Sequence, residues 1–168
     1  MAVEENDDRA EREIARLSEQ ILRTIFDGQY DRAKTMIEAA RHAVPADQAH
    51  RLTALSAVLQ SRTGNLHESI NLMRQALQER PTWLPHLSRL SDYLMDTEQW
   101  LEANSVLDEL ISLSESQDEV YFLDDARFRK IFCLKALGRH NEVPAVKAEI
   151  SPNAGAFIGA RHYRLDDV

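Results

Sequence analysis

Apolar residues return every three or four positions along most of this chain, in blocks separated by turn residues. Ile14, Leu17, Ile21, Leu22 and Ile25 make one stripe, which predicts a helix from Arg9 to about Asp27 that Gly28 ends. A second helix follows from Tyr30 to about Ala43 with Ala33, Met36, Ile37 and Ala40 inward, and Pro45 stops it. Asp47 is placed to cap a third, which runs to about Arg62 with Leu52, Leu55, Val58 and Leu59 on one side. Thr63–Trp83 reads as turn, helix, turn. Gly64 closes the preceding helix, Asn65 and Glu68 stand as a capping box, and Leu66, Ile70, Met73 and Leu77 share a face until Pro81.

The pattern continues in the second half. A fifth helix from Trp83 to about Met95 carries Leu84, Leu87, Leu90 and Leu94, with Thr82 as its cap. A sixth, capped by Thr97, runs to about Leu113 with Trp100, Ala103, Val106, Leu107, Leu110 and Ile111. Ser116 and Glu119 suggest a capping box for a long seventh, to about Leu137, carrying Phe122, Phe128, Ile131, Phe132 and Leu134. Gly138 closes that one. A short eighth begins near Asn141 and holds Pro144 in its first turn. Residues 1–8 are acidic and polar, which predicts disorder. Residues 151–168 have no helical period and form a non-helical tail that keeps Phe157, Ile158, Tyr163 and Leu165 for docking. The helical domain is thus 9–150.

Eight helices in four hairpins invite a test for repeats. Asp27-Gly28-Gln29-Tyr30-Asp31-Arg32-Ala33 aligns with Thr63-Gly64-Asn65-Leu66-His67-Glu68-Ser69 and with Thr97-Glu98-Gln99-Trp100-Leu101-Glu102-Ala103. Leu137-Gly138-Arg139-His140-Asn141-Glu142-Val143 is a weaker fourth copy, and the successive spacings are 36, 34 and 40 residues. Small residues recur at Ala33, Ser69 and Ala103, and large ones at Ile37, Met73 and Leu107. Over residues 14–150 this resembles the tetratricopeptide repeat (TPR) family, whose unit is about 34 residues. The departures are a missing early Trp, Leu110 where Ala40 and Ala76 stand in the first two copies, and no proline ending the third copy. The fourth copy has an insertion before it and a proline inside its second helix. The resemblance implies an all-α fold: a right-handed array of antiparallel helical hairpins in which small residues admit close approach and large ones fill the gaps.

Charge and chemistry narrow the functions. A net charge of −8 disfavours general binding to nucleic acid or anionic membrane. No run approaches the length of a membrane span, and the acidic N-terminus is no signal peptide. One cysteine, Cys133, excludes an intramolecular disulfide and fits a cytoplasmic setting. The sequence has no Cys-x-x-Cys and no glycine-rich phosphate loop, and His67-Glu68 does not continue into a zinc motif. Cys133 between Phe132 and Leu134 reads as a buried hydrophobe rather than a nucleophile. Neighbouring carboxylates such as Asp124-Asp125 diverge on a helix and do not share a ligand. No enzyme activity, cofactor or metal is expected.

What the resemblance implies is a concave face lined by the first helix of each hairpin. It maps to Arg51, Val58 and Arg62 in the second unit, Arg89 and Asp92 in the third, and Arg129 and Lys135 in the fourth. That basic and apolar mix would suit a peptide with an acidic end and apolar anchors. The expectation is a protein–protein interaction module, an adaptor or scaffold without nucleic-acid partner or membrane insertion. The alternatives are a small chaperone of a secretion system, and an assembly subunit that self-associates through Phe157, Ile158 and Tyr163 of the tail.

Overall fold

The computed structural model describes residues 11–168 in full and, of residues 2–10, only their inclusion in the first helix. The expected disorder of residues 1–8 falls outside the described residues. The helices are α1 (Ala2–Phe26), α2 (Tyr30–Ala40), α3 (Ala49–Arg62), α4 (Leu66–Glu79), α5 (Leu84–Asp96), α6 (Trp100–Ser116), α7 (Val120–Ala136) and α8 (Val143–Ala148). They are followed by β1 (Gly155–Ile158) and β2 (Arg161–Arg164). The chain forms two compact units, Met1–Pro81 and Thr82–Val168.

In the first unit, the apolar stripes of α1, α2 and α3 meet in one core that includes Ile21, Ile25, Ile37, Leu52, Leu55 and Leu59. Helix α4 packs along α3 and buries Ser69, Ile70, Met73 and Ala76. Ala33, Ala57, Ser69 and Ala76 are fully buried, and a residue this small at such a place lets neighbouring backbones approach. In the second unit α5 packs on α6 and α6 on α7. A separate core gathers Phe128, Ile131 and Leu134 of α7, Val146 of α8, Ile150 and Ala156. The tail folds as an antiparallel hairpin, β1 against β2, and lays Ile158, Tyr163, Leu165 and Val168 over that core.

Five helix ends share one turn. At Gly28, Gly64, Glu98, Asp118 and Gly138 the backbone has positive φ, from 54° to 88°. In each, the next residue's N–H donates to a carbonyl five places back: Gln29 to Thr24, Asn65 to Gln60, Gln99 to Leu94, Glu119 to Ser114 and Arg139 to Leu134. This is the Schellman arrangement, which satisfies carbonyls left open at a helix C-terminus.

The expected side-chain caps are not what the helices use. Asn65 donates to Gln60 Oε1, Thr97 donates back to the Tyr93 and Leu94 carbonyls, and Ser116 donates back to Leu113. Asp47 lies inside a short 3-10 turn, Ala46–Gln48, and Trp83 rather than Thr82 holds the N-cap of α5. The hydroxyls and amides of these turns finish the helix behind them instead of starting the one ahead.

Glu98 carries a side chain in a conformation that disfavours one. Glu98→Gly is expected to raise stability by about 1 kcal/mol, read as a higher denaturant midpoint. Gly64→Ala should lower it by a similar ~1 kcal/mol, through φ alone, since an added Cβ meets nothing within 4 Å. If Glu98→Gly leaves the midpoint unchanged, the left-handed turn is not strained at that position.

Candidate functional site

The second unit holds a cleft of about 560 Å³ between α5, the first half of α7 and β1. Its floor is built by helical spacing. On α5, Ser88 and Asp92 stand four apart with Ser91 between them, and on α7 Asp125 precedes Arg129 by four. Arg129 is buried at 8% exposure. Its Nη1 donates to the Ser88 carbonyl at 3.0 Å and to the Ser88 and Ser91 hydroxyls at 3.1 Å each. Nη1 also meets Asp92 Oδ1 at 3.1 Å, and Nη2 pairs with Asp125. One guanidinium thus ties α5 to α7. Burial pushes the Asp92 carboxyl above the usual carboxylate range, against the pull of Arg129 and Arg89, and does the same to Asp125 against Arg129.

The rim differs in character. Val120, Tyr121 and Phe157 are 65%, 80% and 67% exposed. Tyr121 stands edge-on to Phe122 at 5.1 Å, and the Phe157 ring lies tilted against His162 at 4.8 Å. Arg89 is exposed, with Asp92 4.0 Å away. Asp124 accepts from the Ser151 N–H, at the start of the tail. Arg127, behind Asp124, is divided among Glu115 at 2.9 Å, Glu149 at 3.4 Å and Asp124 at 4.0 Å.

Three of the residues singled out from sequence, Arg89, Asp92 and Arg129, line this one cleft, and Phe157 of the tail joins them. Ile158 and Tyr163 turn to the core instead, Tyr163 standing edge-on to Phe132 at 4.8 Å. Lys135 is exposed near the end of α7 and is not among the cleft residues. In the first unit, Val58 is in the core. Arg51 bonds Glu11 at 3.1 Å beside a shallow cleft of about 400 Å³, and Arg62 lies over the exposed Phe26 ring at 4.4 Å.

Val120 and Tyr121 on the rim, and Asp125 as the ion-pair partner of Arg129, are not among the residues expected from the sequence. The i, i+4 spacing of Asp125 and Arg129 was a visible signal. The position of Tyr121 over a cleft was not, because it depends on where β1 returns.

Chemistry elsewhere is plain. Burial pushes the Cys133 thiol up to about 11, which keeps it protonated and unreactive. Among the described residues no group of three His, Cys, Asp or Glu side chains is placed to hold a metal. Nor, among them, is any helix long and apolar enough to cross a membrane.

No protein-family model and no curated protein matches the sequence. Solved structures do. A point mutant of a kinesin-light-chain-type protein from Podosopora anserina, with nearly identical TPR-like repeats, superposes with a TM-score of 0.67 at 14% identity, over 82% of this chain and 72% of that one. A point mutant of MamA superposes with a TM-score of 0.58 at 18% identity, over 85% of this chain and 76% of that one. The hairpins α1–α2, α3–α4, α5–α6 and α7–α8 therefore carry the TPR-like helical-repeat fold.

Proposed function

We propose that this chain is a protein–protein interaction module, an adaptor or scaffold, that receives a segment of a partner protein in the cleft of its 82–168 unit. The observation that carries the reading is the pairing of an exposed apolar rim with a fixed ionic floor. Val120, Tyr121 and Phe157 offer apolar surface to solvent, while Arg129 is locked by five contacts to α5 and α7. A rigid floor loses little freedom when a partner docks, and exposed aromatic side chains are common anchors at interfaces. The TPR-like fold supports the same class of function. It supplies shape, and the work proposed is binding rather than catalysis.

Of the candidate groove residues, this reading uses Arg89, Asp92 and Arg129, with Phe157 from the tail. Arg51, Val58, Arg62 and Lys135 are left outside it. Self-association through the tail is the weaker reading, because Ile158, Tyr163, Leu165 and Val168 are already engaged with the core of their own unit.

The test is a selection of random dodecapeptides displayed on phage against the full chain. Enriched peptide families are expected to lose about tenfold or more in affinity for Tyr121→Ala, a change at an exposed site that leaves the fold intact. Families that bind Tyr121→Ala as well as the unaltered chain would move the binding site elsewhere.

A further inference from the structure

Among the described residues, the cleft has along one side a strand, β1, that is paired on one edge only. Among the described residues the sheet has two strands, with Ile158 opposite Arg161, Phe157 opposite His162, Ala156 opposite Tyr163 and Gly155 opposite Arg164. The connecting turn is the two residues Gly159 and Ala160, with Gly159 at φ 61°. In a two-residue hairpin the pair next to the turn exchanges both backbone bonds, and such pairs then alternate with open ones. Ile158 and Ala156 are therefore bonded across to β2. Phe157 and Gly155 aim their N–H and C=O groups away from β2. Cleft residues come from residues 154–157 and none from β2, so this outward edge borders the cleft.

The charge around the cleft favours one sign of partner. Of the charged residues that line it, Arg89 and Arg129 stand with Asp92, Asp124 and Asp125, two cations against three anions. Arg89 and Arg129 pair with Asp92 and Asp125, and in a separate set Arg127, behind the cleft, pairs with Asp124, Glu115 and Glu149. Arg129 is shared by two carboxylates and Arg89 stands 4.0 Å from one of them, so among the charged lining residues the anions outnumber the cations. The acidic-ended peptide expected from the sequence took Arg129 as available, whereas Asp92 and Asp125 share it.

We infer that the cleft takes an extended partner segment that adds to β1 as a third strand and sets a Lys or Arg side chain against the Asp92, Asp124 and Asp125 carboxylates beside Tyr121. The inference rests on the reading of this cleft as the binding site and names its ligand class. Main-chain bonds to Phe157 and Gly155 would give affinity, and the basic side chain would give selectivity.

The test uses fluorescein-labelled Ser-Val-Thr-Val-Arg-Val-Thr-Ser and its counterpart with Glu for Arg, read by anisotropy against the full chain. The Arg peptide is expected to bind about tenfold or more tighter than the Glu peptide, the difference shrinking with added salt. Phe157→Pro removes the outward N–H at a position where the hairpin ladder does not use it, and Phe157→Ala removes only the ring. Phe157→Pro is expected to bind the Arg peptide at least about fivefold more weakly than Phe157→Ala, with both variants keeping the circular dichroism of the unaltered chain. Equal binding by Phe157→Pro and Phe157→Ala overturns strand addition, and a preference for the Glu peptide overturns the basic ligand. No binding of either peptide at millimolar concentration overturns the inference as a whole. An acidic ligand that is lost on Tyr121→Ala sinks the inference while the cleft stands as the binding site. If selected ligands ignore Tyr121→Ala, the reading of the cleft fails too.

Discussion

Arg129→Met is expected to lower the stability of the 82–168 unit by about 3 kcal/mol at neutral pH. Among the described residues the guanidinium is the one cation within ion-pair distance of Asp125, and it supplies three hydrogen bonds to Ser88 and Ser91. Methionine fills much of the same volume, so the loss reports charge and hydrogen bonding rather than a cavity. The figure sits at the low end for a broken buried pair, because the Asp92 and Asp125 side chains keep 35% and 29% exposure. The cost should also depend on pH. Without the arginine both carboxyl pKa values rise further, so acidification protonates them and relieves the penalty. Denaturant unfolding near neutrality and again near pH 4 is expected to show a deficit that narrows in acid. A deficit of the same size at both would mean that packing, not charge, explains it.

The second large effect is in the first unit. His50 is 1% exposed, and burial, with Arg51 and Arg80 nearby, lowers its pKa from 6.5 to about 4. The folded chain keeps this imidazole neutral while the unfolded chain takes up a proton below about 6.5. Stability is therefore fully present above that pH and falls as the pH drops toward 4, by up to about 3 kcal/mol. The raised carboxyls of Asp92 and Asp125 work in the opposite sense, gaining stability as they protonate, so the net acid limb of the whole chain is shallower. Comparison with His50→Gln separates the two, since the carboxyls are common to both chains. The variant should lose markedly less stability between neutral pH and pH 4, and an NMR titration of the His50 ring should have its midpoint near 4. A midpoint near 6.5 would show that burial does not hold the ring neutral.

Much of the helical framework was legible because it depends on local spacing. The stripes at Ile14 to Ile25 and Leu84 to Leu94, and the breaks at Gly28, Gly64 and Pro81, are short-range signals. Even the turn at Glu98 was found, since Thr97-Glu98-Gln99-Trp100 aligns with the glycine-bearing copies although it lacks the glycine. What could not be read depends on the return of distant chain. The strands at Gly155–Ile158 and Arg161–Arg164 are four residues each, too short for a clear alternation, and they take shape against Phe128, Ile131 and Leu134, more than 20 residues earlier. The site shows the same division. Arg129 could be placed on the groove by aligning repeats, but its neutralisation by Asp92 depends on how closely α5 and α7 approach. The i, i+3 pairing of Arg89 with Asp92 lies within one helix and is legible; the sharing of Arg129 between two helices is not.

The five left-handed turns have an implication for how such a chain drifts through mutation. Their geometry is held by main-chain bonds, from Gln29 to Thr24 through Arg139 to Leu134, and those bonds are the same whether the turn residue is glycine, glutamate or aspartate. Each side chain in the turn adjusts the energy by about 1 kcal/mol while the main-chain bond is kept. Glycines at these corners are thus interchangeable with costlier residues one at a time, and what is inherited is a bonding pattern rather than a set of letters. Two chains could keep every corner of this architecture and share almost none of the residues that turn it.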